Sequence, residues 1–134
     1  MKGFVDNIEG LTQGNASFRR VLYTGRHMQL VLMALPEGGE IGTEVHSDTD
    51  QFFRVEQGTA EVVIDGKAHN VSAGAGIIVP QGAKHNVSNR GSGPLRLYTI
   101  YSPPHHRDGV VQATRAEALA DSETFDGQTT EMAV

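Results

Sequence analysis

The chain of 134 residues contains no cysteine. Disulfides, thiolate nucleophiles and cysteine-ligated zinc are excluded with it. Positive charge is scarce: 11 Lys and Arg stand against 16 Asp and Glu, a formal net charge of −5. A nucleic-acid surface needs clustered Lys and Arg to meet phosphates, so no nucleic-acid partner is expected. Long apolar runs are missing too, and no stretch nears the roughly 18 residues that a membrane span needs. Met1-Lys2-Gly3-Phe4 leads into acidic and amide residues rather than the apolar run of a signal peptide. These absences predict a cytoplasmic chain with no membrane partner. The length suits one domain around a single core.

What the chain does have is turn residues, 16 Gly and 5 Pro, and six His. Its apolar runs are short and punctuated, as in an all-β protein. Residues 27–35 read as a strand closed by Pro36-Glu37-Gly38-Gly39, and 52–55 as another ended by Gly58. Residues 61–64 and 67–71 flank Asp65-Gly66, a dipeptide that accepts the positive φ of a two-residue hairpin. Residues 76–79 form a brief strand stopped by Pro80, and 95–101 the last long one. Strands so spaced predict a sandwich or closed barrel, in which pairing hides the edges. Thr114-Arg115-Ala116-Glu117 has the form of a capping box, predicting a short helix to about residue 121. Residues 1–20 show no clear periodicity.

Two segments carry candidate chemistry. In the first, Glu44 and His46 lie two residues apart, so on a strand both side chains leave from one face. A carboxylate and an imidazole converging there could bind a divalent metal, while a surface glutamate beside a hydrogen-bonded histidine is the plainer alternative. The second segment, residues 74–89, matches G-x5-P-x-G-x2-H-x3-N at Gly74, Pro80, Gly82, His85 and Asn89. From the chain's own composition, a chance match is expected about once in ten thousand.

With these residues the sequence resembles the cupins, whose first motif is G-x5-H-x-H-x3-4-E-x6-G and whose second is the pattern just matched. Aligned on Gly38 and Gly58, the first motif places Glu44 and His46 at its two histidine positions and Gln51 at its glutamate position. By motif, the resemblance covers about residues 28–102. The stretches 50–58 and 98–106 are also similar to small cupins, extending the likeness over most of the chain. The resemblance implies one cupin domain over 1–134: a small antiparallel double-stranded β-helix, or jelly-roll barrel, with residues 103–134 as a tail carrying the short helix.

It also implies one divalent metal inside the barrel, iron, manganese, zinc or nickel. The implied ligands are Glu44, His46, Gln51 and His85. Two imidazoles and one carboxylate form the ligand set of the facial triad of non-haem iron enzymes. Gln51 would then be a weak fourth ligand or would hold a water or substrate nearby. The competing reading is that an amide at this position marks weakened or lost metal binding.

His105 and His106 follow Pro103-Pro104, so the chain there is extended and the pair could serve over the barrel mouth as general acid or base. A solvated loop pair is the preferred reading. Phe53 and Val55 share the face of Gln51 and should pack beside it, with Arg54 pointing the other way. Asp48 and Asp50 suit a turn, Lys84 a surface, and His27 and His69 positions away from the chemistry.

The favoured function is a metal-dependent enzyme on a small organic molecule, a dioxygenase, isomerase or lyase, with the protein forming a homodimer. The alternative is a non-catalytic module that binds a small molecule or metal, as a sensor or accessory protein. Some small cupins resemble mannose-6-phosphate isomerases, but no Arg or Lys cluster in this sequence forms an obvious phosphate clamp.

Overall fold

The computed structural model describes residues 1–132. Among these residues, ten strands and two short helices run in the order α1 (Ile8–Gln13), β1 (Arg19–Thr24), β2 (Gln29–Leu35), β3 (Glu44–Val45), β4 (Asp50–Gln57), β5 (Thr59–Ile64), β6 (Lys67–Ser72), β7 (Gly76–Val79), β8 (Lys84–Asn89), β9 (Leu95–Ser102), β10 (Val111–Gln112) and α2 (Arg115–Ala120). Six strands form one sheet in the order β10-β1-β2-β9-β4-β7, and four form the second, β3-β8-β5-β6. Every pairing is antiparallel. This is the expected all-β jelly-roll barrel with its short C-terminal helix. Among the described residues, no helix is long and apolar enough to cross a membrane.

Local chemistry explains most element boundaries. Asp65 and Gly66 take φ of 47° and 81°, the mirror-image turn that lets β5 and β6 pair from Thr59↔Ser72 to Ile64↔Lys67. Thr114 caps α2 by accepting a hydrogen bond from Glu117 N–H, while Glu117 reaches back one residue further than expected, to Ala113 N–H. α1 and β1 lie where sequence periodicity is weak. Asn7 caps α1 through Gly10 N–H, and β1 is fixed by pairing to β2 and β10. An isolated turn of helix this short would not persist in water, so packing against β4 and β9 sustains it.

The core lies between the two sheets. Alternate residues of β9 (Leu95, Leu97, Thr99 and Tyr101) point inward and are buried. Leu97 pairs with Met33 on one side and Val55 on the other, and all three are fully enclosed. The four-stranded sheet contributes Ala60, Val62 and Val87 to the same cluster. Leu97→Ala should therefore lower unfolding free energy by about 2–5 kcal/mol in urea titration, because it removes fully buried side-chain atoms from between two paired strands. Ile78→Thr, at an exposed site on β7, should change it by less than about 0.5 kcal/mol.

Candidate metal centre

β3 is only two residues long, yet its pairing with β8 places Glu44 directly opposite His85. Side chains so opposed stand about 5 Å apart at Cβ. His46 follows two residues after Glu44, on the same side. Three hydrogen bonds tie residues 46–50 to the turn before β8. Gly82 N–H donates to His46 O (2.8 Å), Gln81 Nε2 to Ser47 O (2.6 Å) and Gln81 N–H to the Asp50 carboxylate (2.8 Å). The available ligand atoms of Glu44, His46 and His85 all fall within 4.8 Å of one another.

Hydrogen bonding decides which atoms remain free. His85 donates from Nδ1 to Ala83 O at 3.1 Å, so its Nε2 keeps a lone pair. That nitrogen is buried and has no partner. His46 Nε2 lies 3.1 Å from Glu44 Oε2 but outside hydrogen-bond geometry, and it too is buried and unpartnered. Gln51, 2% exposed, donates from Nε2 to Thr99 Oγ1 at 2.9 Å, which leaves its Oε1 buried without a donor. Gln51 sits opposite Tyr101 on β9, and the Tyr101 ring stands 5.8 Å from that of His46. Buried polar atoms rarely stay unsatisfied. Two imidazole nitrogens, a carboxylate and an amide oxygen are the donors that suit a divalent ion of mixed nitrogen and oxygen preference. Burial alone would raise the Glu44 pKa, but the His46 contact and the charges of Arg19 and His85 outweigh it and hold the carboxyl below its ordinary range.

His105 and His106 are not the solvated loop pair that the sequence favours. His106 is buried: its Nδ1–H donates to Glu123 at 2.6 Å, and its Nε2 accepts from the Tyr101 hydroxyl at 3.2 Å. His105 stacks on Tyr101 (ring centroids 5.4 Å, 19° between planes) and meets His46 edge-on at 4.5 Å. Gln29 holds the segment in place, its Oε1 accepting from both His105 and His106 N–H and its Nε2 donating to His106 O. Burial, then the charges of His106 and His46, push the His105 pKa down to about 4. Burial also lowers His106, against the opposing pull of Glu123. Tyr101 is raised by burial and keeps its proton. For Glu123, burial is outweighed by His106 and by Arg107 N–H, and its carboxyl stays ionised.

The remaining expectations divide simply. Phe53 and Val55 are buried beside Gln51, and Phe53 meets His85 edge-on at 6.3 Å. Arg54 points away and pairs with Glu56 at 2.7 Å. His27, His69 and Lys84 are exposed. Thr99, Tyr101, Glu123 and Gln29 are site residues that sequence reading missed. Thr99 and Tyr101 were signalled by the inward phase of β9. Glu123, in an irregular tail 17 residues from His106, had no signal.

Comparison with known proteins identifies the family and the fold. The sequence profile of the family described as "Cupin domain" matches residues 31–101. The chain is 46% identical over 126 residues to the uncharacterized protein YrkC of Bacillus subtilis, covering 89% of this chain and 67% of that protein. It is 38% identical to an uncharacterized protein of Acanthamoeba polyphaga mimivirus, covering 86% and 74%. The crystal structure of BH2720 from Bacillus halodurans superposes with a TM-score of 0.88 at 43% identity, covering 90% of this chain and 96% of that one. The barrel and its inward histidines thus define a cupin, and the chain belongs to the cupin family. These relatives establish the family and the fold; their names assign no activity.

The two lowered histidines set the acid response of the metal-free protein. The unfolded chain takes up protons at His105 and His106 near pH 6.5, whereas the folded chain refuses them until lower pH. Stability should be level above pH 7 and should fall as pH drops from about 6.5 toward 4. In urea melts across that range, His105→Gln should flatten the fall. An unchanged slope would place His105 in solvent instead.

Proposed function

We propose that Glu44, His46, Gln51 and His85 bind one divalent metal ion, iron, manganese, zinc or nickel, and that the loaded centre transforms a small organic molecule. The observation that carries this reading is the set of three buried atoms (His46 Nε2, His85 Nε2 and Gln51 Oε1) that lack any partner, beside the Glu44 carboxylate. Leaving each such group unsatisfied costs about 1–3 kcal/mol, which a bound ion would recover. A bound ion would supply Lewis-acid polarisation or a dioxygen site, the chemistry of dioxygenases, isomerases and lyases.

The chain's own residues have distinct tasks in this reading. Thr99 orients the Gln51 amide so that oxygen, not nitrogen, is left free. Ala83 O fixes the tautomer of His85. The Tyr101 hydroxyl donates to His106, which Glu123 fixes in turn, so the Tyr101 side chain is held at a defined point beside the imidazoles. Phe53 and Val55 keep water from the inner side.

Metal analysis of protein purified without an affinity tag should find about one divalent ion per chain. His85→Ala should abolish it. Gln51→Glu should bind more tightly by adding a second carboxylate, and Thr99→Val should weaken affinity about 10- to 100-fold through loss of the amide's anchor. His27→Asn, on the exposed surface, should have no effect. If native protein and Gln51→Glu both remain metal-free after dialysis against each of the four metals, the proposal fails.

A further inference from the structure

Arg19 is a charged side chain where none should be comfortable. It is 7% exposed and faces inward from β1, opposite Met33. Its one hydrogen bond is from Nη1 to Gln112 Oε1, at 2.7 Å, and its Nε has no partner. The adjacent Phe18 ring, 5.2 Å away, offers a weak cation–π contact. Among the described residues, no carboxylate pairs with it. A buried guanidinium held by a neutral amide alone carries a large desolvation cost.

The group is not facing a packed wall. It lines a cavity of about 150 Å³ whose rim also includes Arg115, Glu44, His106, Asp121 and Glu123. Arg115 is likewise without a carboxylate partner among the described residues and is held by its Nε–H to Ile41 O at 3.2 Å. Gly42 makes room for it: a Cβ there, at φ +107°, would stand 2.6 Å from Arg115 Nη2. Two unpaired guanidinium groups from opposite ends of the sequence thus meet one cavity, and that cavity opens onto the candidate metal ligand Glu44 and onto His106.

We infer that this cavity is the substrate pocket of the centre, and that it takes a small organic monocarboxylate whose carboxylate sits on Arg19 and Arg115. The guanidinium fork matches a carboxylate in two parallel hydrogen bonds. Charge decides between one negative charge and more. The two arginines face three carboxylates, Glu44, Asp121 and Glu123, so the lining carries a formal −1, and a divalent ion on Glu44 would turn this to +1. One negative charge balances that; a phosphate dianion exceeds it. The cavity is open to solvent on one side, and its volume of about 150 Å³ suits a small molecule. The inference rests on the metal-centred reading for its meaning, but the anchor itself can be tested without metal.

The test is titration of the ¹H–¹⁵N spectrum of metal-free and zinc-loaded protein with propionate, propionamide and inorganic phosphate, with zinc content measured on the same samples. Propionate should bind zinc-loaded protein with a Kd on the order of millimolar, as its few atoms allow, and metal-free protein, whose lining carries a formal −1, detectably but more weakly. Arg19→Gln and Arg115→Gln should each weaken it at least tenfold, and Arg20→Gln, exposed on the opposite face of β1, should not. Zinc should tighten propionate binding, and His85→Ala should remove only that gain. Equal binding of propionamide, tighter binding of phosphate, or unchanged binding by a folded Arg19→Gln protein overturns the inference. If Arg19→Gln does not fold, the result for Arg115→Gln decides. Propionate binding without zinc binding sinks the metal centre alone, and zinc binding without a propionate site sinks the anchor alone.

Discussion

Lone pairs shut away from water are the constraint around which this barrel is arranged. A core of Val, Leu, Met and Phe can exclude solvent from its interior only if the polar atoms it encloses are satisfied by one another or by something bound. At the end where β3, β4 and β8 converge, the chain encloses two imidazole nitrogens and an amide oxygen that no donor reaches. Their neighbours have already been committed: Ala83 O takes the proton of His85, and Thr99 takes that of Gln51. For His85 and Gln51, these hydrogen bonds settle which atom is left free.

The same economy of partners runs outward from the centre. Tyr101, His106 and Glu123 form a line in which each group uses the orientation of the next, ending on Arg107 N–H at the surface. Gln29, buried on β2, holds the histidine segment through three hydrogen bonds. These links join a strand of the barrel to a tail that would otherwise have little reason to lie there. The tail and α2 in turn bring Glu123 and Arg115 over the cavity beside Glu44. Fold, site and cavity are therefore mechanically continuous. A change in the tail is expected to reach the centre through His106 rather than through the core.

Gln51 is the point at which this chain departs from the usual cupin pattern, and Glu44 is the counterpart of that departure. A carboxylate on β3 and an amide on β4 keep one negative charge among the four side chains but move it from one sheet to the other. The charge now lies against the cavity, within reach of the field of Arg19. The electrostatic character of the cavity and of the site are consequently linked, which a glutamate at position 51 would not achieve in the same place.

Much of this was legible in the sequence. Strand positions on β2, β4, β5, β6, β7 and β9 followed from short apolar runs and from Gly, Pro and Asp-Gly punctuation, because those residues act on the backbone locally. Motif spacing singled out Glu44, His46, Gln51 and His85. α1 and β1 were not legible, since each depends on packing and pairing partners far along the chain. His105 and His106 were misread as solvated, because burial there comes from Gln29, Tyr101 and Glu123, none of them near in sequence except Tyr101. The pairing of Arg19 with Arg115 across one cavity had no sequence signal at all. Short-range conformational preference and side-chain alternation are properties of a few successive residues, so the sequence by itself determined the all-β class, the turns and the types of donor atom, and the motif resemblance implied the barrel. Which of those atoms lost every hydrogen-bond partner, and which charges came to share a cavity, only the tertiary structure decided, because burial and convergence depend on residues brought together from opposite ends of the chain.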